Sequence, residues 1–154
     1  MGDFNTLPLY SLKLVRSGKV KYPVSKVPDE NAALSVLQTY LWDKECEHLI
    51  VLMLDGHHNF LGLTLAAQGG IHGLHVGVRD VFKGALLHRA TAIVLAHNHP
   101  SGDPTPSGED LSFTRQAVEA GKVLGCHVLD HIIVSSGVRP AHYSMSAKGV
   151  MPLP

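Results

Sequence analysis

Cysteine is scarce in this 154-residue chain: only Cys46 and Cys126 are present, and no C-x-x-C pair occurs. That excludes a zinc knuckle and a thioredoxin-type redox centre. Two lone thiols in a domain of this size point to a reduced, cytosolic protein. Net charge is also lacking, since 13 Lys and Arg balance 13 Asp and Glu and the isoelectric point is near 7.2. Such a chain lacks the electrostatic footprint of a nucleic-acid or anionic-membrane binder. Its one basic concentration, Lys13, Arg16, Lys19, Lys21 and Lys26, reads as the solvated face of a hairpin, available as a contact surface. No apolar run approaches the roughly 20 residues of a membrane span. "MGDFNTLPLY" has no charged region followed by an apolar one, so no signal peptide is expected. Repeats, linkers and low-complexity segments are absent as well.

What is present fits one folded domain over residues 1–154, with 45% apolar and 17% charged residues. "PLYSLKLVRSGKVKYPV" (8–24) alternates apolar and polar residues about Ser17-Gly18 and predicts a β-hairpin. "PDENAALSVLQTYLWDK" (28–44) carries a helix start at Pro28-Asp29 and a helical apolar spacing. Residues 1–45 would thus be a hairpin and helix leading into the core. "EHLIVLMLD" (47–55), "TAIVLAH" (91–97) and "HVLDHIIVSS" (127–136) are near-continuous apolar runs of strand length, as in strands covered on both faces. "NFLGLTLAA" (59–67), after the turn "DGHH", is the expected antiparallel partner of the first of these. Helical spacing returns in "RDVFKGALLHRA" (79–90) and in "SGEDLSFTRQAVEAGKVLG" (107–125), the latter ending at Gly125. The sum is an α/β domain with a mixed sheet between helices.

The other feature is histidine, eleven in all, two of them in "HNHPSGDPTPSGED" (97–110). Side chains two apart on a strand share a face, so His97 and His99 would aim both imidazoles into one cleft. Imidazole binds Zn²⁺ at about 2.0–2.1 Å, and a catalytic zinc takes three protein ligands plus a water. Asp110, in the first turn of the following helix, is the candidate third ligand. The intervening prolines and glycines turn the chain sharply while keeping it stiff. Ser107-x-x-Asp110 is also a capping-box pattern and needs no metal to explain it. That reading leaves His97 and His99 unexplained.

"H-x-H-x7-S-x-x-D", filled by His97, His99, Ser107 and Asp110, resembles the motif of the JAMM/MPN+ metalloproteases. The string "HNHPSGDPTPSGED" with "LGCHVLDHIIV" downstream is similar to the RadC branch, from about Glu45 to about Ser146. The resemblance implies a three-layer α-β-α fold, akin in layout to cytidine deaminases. It also implies Zn²⁺ on His97, His99 and Asp110, with an upstream glutamate as general base. "EHLIVLMLD" fits the branch's register and selects Glu47, leaving Glu45 as a solvated charge. Ser107 would donate to the oxyanion. The implied activity is hydrolysis of a peptide or isopeptide bond in a protein or peptide substrate by a metal-activated water. Two imidazoles suit Zn²⁺ better than Mg²⁺.

Of the remaining histidines, His131 is expected inside the domain. Asp130 beside it would either orient a ligating imidazole or tie strand to loop. His57 and His58 fall in a turn and His72 and His75 in a Gly-rich loop; neither pair is a ligand candidate. The chain departs from the branch at Gly70, where Thr is usual, and at Val78, where Pro precedes the retained Arg79. Longer RadC-type chains carry an N-terminal helix-hairpin-helix region, the DNA-binding part behind the family's traditional link to DNA repair; residues 1–46 do not read as one.

Three rivals follow from the same letters. In HNH nucleases the three residues are spread over a ββα unit rather than adjacent. A zinc deaminase needs H-x-E and P-C-x-x-C, but position 99 is His and no C-x-x-C exists. A non-catalytic module that binds protein or nucleic acid remains the competitor, although such a scaffold has no need of an open metal site.

Overall fold

The computed structural model describes residues 7–21, 30–69, 76–135 and 141–151. Its elements run α1 (Glu30–Leu41), β1 (His48–Leu54), β2 (Phe60–Gln68), α2 (Val78–Leu87), β3 (Ala92–His99), α3 (Gly108–Leu124), β4 (His127–Ser135) and β5 (His142–Ser144). The strands form one mixed sheet in the order β2-β1-β3-β4-β5. Strand β1 pairs antiparallel with both β2 and β3, β3 pairs parallel with β4, and β4 pairs antiparallel with β5. The parallel pair requires a crossover, which α3 provides.

Alternation along the central strands sorts their side chains to two faces. Ile50, Leu52, Leu54, Val94 and Ala96 pack against Val36, Leu37 and Leu41 of α1. Leu49, Val51, Met53, Ile93 and Leu95 pack against Val81, Phe82 and Ala85 of α2 and Ala117 of α3. The result is the three-layer α-β-α arrangement. Every residue of β1 is buried, as its unbroken apolar run requires. By contrast β4 begins half exposed and is fully buried only from Asp130 onward.

Among the described residues the expected hairpin does not appear. Residues 7–21 contain no strand, and Leu7, Leu9, Leu12 and Val15 are more than three-quarters exposed. Alternation favours a strand only where a neighbouring edge accepts its hydrogen bonds and a layer covers its apolar face; residues 7–21 pair with no strand, and Val20 alone of their hydrophobics packs on the core. Residues 22–24 of the expected hairpin, and the helix start at Pro28-Asp29, lie outside the described residues. Strand β5, three residues long, was not anticipated.

Two glycines are placed by necessity. Gly125 ends α3 with φ of 64°, and its N–H donates to the Gly121 carbonyl, a left-handed cap that glycine adopts without strain. Gly121, buried inside α3, lies so close to the chain leaving the helix that a methyl group there would sit 2.5 Å from the Cys126 carbonyl oxygen. Alanine is preferred over glycine in a helix by about 1 kcal/mol. Overpacking against main chain typically costs about 1–3 kcal/mol. We therefore expect Gly121→Ala to destabilise the chain by up to about 2 kcal/mol net, seen as a lower midpoint of urea unfolding with an unchanged slope.

Candidate metal centre

Register and alternation build the centre. His97 faces the same side as Ile93 and Leu95, towards α2 and α3, and His99 follows on that side. Leu49 pairs with His97 across the antiparallel β1–β3 ladder. Glu47, two residues earlier on the same face, therefore arrives beside the end of β3. Asn98 points to the other face and secures that approach. Its Oδ1 accepts the His48 N–H at 2.8 Å, and its Nδ2 donates to the carbonyls of Cys46 (3.0 Å) and Lys44 (3.4 Å).

The Pro- and Gly-containing turn then returns the chain so that α3 starts at the strand end. Ser107 is its N-cap. The Ser107 Oγ accepts the Asp110 N–H at 3.1 Å, and the Ser107 N–H donates to Asp110 Oδ2 at 2.7 Å. Both bonds of a capping box are present. The Ser107 hydroxyl also donates to Asp110 Oδ2, at 2.6 Å. The cap and the carboxylate thus lock each other, and Asp110 Oδ1 is left facing His97 Nε2 at 3.3 Å. In this arrangement the Ser107 proton is committed to Asp110 rather than held free for an oxyanion.

The four residues singled out in the sequence, Glu47, His97, His99 and Asp110, converge: one ligand atom from each lies within 4.8 Å of every other. Glu47 Oε1 is 3.8 Å from His97 Nε2, and Asp110 Oδ2 is 3.6 Å from His99 Nε2. The two Nε2 atoms themselves are 2.9 Å apart. His99 Nδ1 faces the Asp103 carbonyl at 2.7 Å; a carbonyl only accepts, so this nitrogen carries a proton. His97 Nδ1 faces His131 Nε2 at 2.8 Å.

With both Nδ1 atoms occupied, the two Nε2 atoms and two carboxylates point at one another. A positive charge among them reconciles the set, supplied either by a proton on His99 Nε2 shared with His97 and Asp110 or by a metal ion. Tetrahedral Zn²⁺ with nitrogens at about 2.05 Å needs them roughly 3.3 Å apart, an opening of only a few tenths of an ångström. The donor set therefore fits a divalent metal.

Burial pushes the His97 imidazole down to about 4, so it is neutral and able to ligate near pH 7. The neighbouring Asp110 carboxylate pushes His99 up. Burial pushes Asp110 up, but His99 and the Ser107 hydroxyl and N–H outweigh it and hold the carboxyl well below the ordinary range. Glu47 goes the other way. Burial raises it, and the charges of Asp110 and Glu109 add to that rise against the pull of His99.

These groups line a cleft of about 650 Å³ whose walls include Val76, Arg79 and Phe113, within the size range of ligand sites. Arg79 lies in the first turn of α2, and Val78 stands at its first position, where the proline usual in the branch would suit the helix. Gly70, His72 and His75 lie outside the described residues. His57 and His58 occupy the exposed turn after β1, away from the cleft, and Glu45 is exposed.

Asp130 takes the second of its two expected roles, the tie of strand to loop. Its carboxylate accepts from the Ser144 hydroxyl (2.6 Å) and from the N–H groups of Ser146 (2.8 Å) and His131 (2.7 Å), tying β4 to the segment after β5. Neighbours on a strand face opposite ways, so Asp130 and His131 could not both serve the cleft. It is His131, fully buried, that touches His97, and the sequence reading gave it too little weight. The signal available was the alternation that puts His131 and Ile133 beneath α3. Cys46 and Cys126 are free thiols, and among the described residues no helix is long and apolar enough to cross a membrane.

A family model described as a RadC-like JAB domain matches residues 27–150. A UPF0758 protein of Methanococcoides burtonii is 40% identical over 115 residues, 75% of this chain and 50% of that one. Those of Alkaliphilus metalliredigens and Desulfitobacterium hafniense are 37% and 35% identical, covering 88% and 89% of this chain and 56% and 58% of theirs. The chain thus spans about half the length of the curated relatives it matches. Matched over most of its own residues, with its histidine pair and helix-capping aspartate gathered at one cleft, the chain belongs to the RadC-like JAB domain family.

Proposed function

We propose that this chain is a zinc-dependent hydrolase of amide bonds, peptide or isopeptide, in a protein or peptide substrate. The observation that carries the reading is the convergence of His97 Nε2, His99 Nε2 and Asp110 with Glu47 at one cleft. His97, His99 and Asp110 are the three protein ligands, and Glu47 stands beside them as the base. Bound Zn²⁺ supplies a Lewis acid for the scissile carbonyl and lowers the pKa of water from 15.7 to about 7.

The chain's own residues do the rest. Glu47, its carboxyl raised by burial, takes the proton of the attacking water and returns it to the leaving amine. His97 and His99, each with its Nδ1 held, present fixed lone pairs. Ser107 first fixes Asp110; rotation of its hydroxyl away from Oδ2 would offer the proton to an oxyanion, while the Ser107 N–H keeps its hold on the carboxylate. The apolar walls at Val76 and Phe113 would seat substrate side chains, with Arg79 at the rim. Cytosolic placement accords with the two free thiols.

The test is metal analysis of the purified chain together with hydrolysis of a panel of unstructured peptides and lysine-linked isopeptides, with and without a chelator. Stoichiometric zinc and chelator-sensitive cleavage support the proposal. Stoichiometric zinc with no cleavage of either class would favour the binding module over the enzyme, and absence of zinc would remove both the metal and the mechanism.

A further inference from the structure

One buried polar group lies directly behind His97. His131, 1% exposed, lies on β4 opposite Leu95 of β3 and beneath α3. Its Nδ1 is 2.6 Å from Thr114 Oγ1, and its Nε2 is 2.8 Å from His97 Nδ1. Thr114, buried in α3, is 2.7 Å from the main-chain carbonyl of Asp110.

The protons in this chain run one way. The Asp110 carbonyl can only accept, so the Thr114 hydroxyl proton goes there; the alternative acceptor, Met145 Sδ at 3.5 Å, is weaker and farther. The Thr114 oxygen then accepts from His131 Nδ1–H. An imidazolium at this depth, its ring hydrogen-bonded to Thr114 and His97 and to no carboxylate, would be costly, so His131 Nε2 is bare and accepts from His97 Nδ1–H. His97 is left with its lone pair on Nε2, pointing into the cleft.

We propose that His131, anchored by Thr114, is a positioning residue that fixes His97 in its Nδ1–H tautomer and so presents Nε2 to the metal. The proposal rests on the metal reading above. It links two ligands, because the main chain of Asp110 sets the tautomer of His97. It also separates the two imidazoles: His99 is held in the usual way by a carbonyl, whereas His97 is held by a second neutral imidazole that adds no charge to the centre.

The test uses the full chain with His131→Leu, Thr114→Val and the conservative Thr114→Ser. Zinc affinity is read by competition with a chromophoric chelator, and ring tautomers by long-range ¹H–¹⁵N correlation in the metal-free protein. Loss of such a partner typically weakens metal binding about 10–100-fold. We expect that loss in His131→Leu, a smaller one in Thr114→Val, and near-wild-type affinity in Thr114→Ser. We also expect His97 as the Nδ1–H tautomer in wild type and Thr114→Ser, and a mixture of tautomers in Thr114→Val. Wild-type His97 protonated on Nε2, or unchanged affinity in a folded His131→Leu, overturns the proposal. Should wild type take up no zinc at all, the metal reading fails, and the tautomer spectra still decide whether His131 sets His97. Thr114→Val, nearly isosteric, guards against a His131→Leu variant that does not fold.

Discussion

Glu47→Gln is expected to keep zinc at wild-type stoichiometry and to lose about 10²–10⁴-fold in kcat, the range general acid–base help commonly supplies. The substitution preserves shape and removes only the ability to take a proton. Glu47 reaches the centre from the position just before β1, with its Oε1 3.8 Å from His97 Nε2, so its replacement leaves the proposed three-ligand set untouched. Its raised carboxyl adds a second signature. The unprotonated form is the active one, so kcat/KM in wild type falls as pH drops through a value above the ordinary 4.5. Metal content must be measured at each pH, because protons also compete with the metal for imidazole. In Glu47→Gln the limb belonging to Glu47 vanishes along with the rate. Equal hydrolysis by both proteins at equal zinc content would remove Glu47 from the mechanism.

The second large effect concerns the metal itself. A ligand that binds only the folded chain stabilises it by RT ln(1 + [L]/Kd), about 2.7 kcal/mol at one hundred times Kd. For a chain of this size that corresponds to a rise of roughly 5–10 °C in the thermal midpoint. His99→Ala is the cleaner deletion, because His99 is half-buried whereas His97 is sealed in and its truncation would also leave a void. Wild type should show the zinc-dependent rise. The variant should remain folded, with a metal-free midpoint close to wild type, and show almost none. A variant that gains as much from zinc as wild type would place the ion elsewhere.

Much of the architecture could be read from residue order. The unbroken apolar run of β1 needs two covering layers and has them. The i, i+2 histidines at the end of β3 share a face because pleating demands it. Ser107-x-x-Asp110 announces both a helix start and a carboxylate next to the strand end, and because the cap engages Oδ2 while Oδ1 faces His97, the capping reading is compatible with the ligand reading. The failures have physical causes. Alternation in residues 8–24 describes a side-chain pattern and says nothing of whether a neighbouring edge exists to complete a hairpin. Strand β5 is too short to show any period; it exists because β4 offers it an edge, with pairs such as Ile133 to Tyr143. The contact between His97 and His131 spans 34 positions and depends on the parallel register of β3 and β4, which local sequence does not specify. Of the two readings open for Asp130, the tie between strand and loop is the one found, and alternation already favours it, because it puts Asp130 on the face away from His131.

Asn98, the middle letter of the histidine pair, has a consequence for how such a domain can diversify. By holding the main chain that leads into β1 with three hydrogen bonds, it makes the spacing between Glu47 and the two histidines a property of the sheet. The wall built from the start of α2 and the chain entering it can then vary without moving Glu47 relative to the histidine pair.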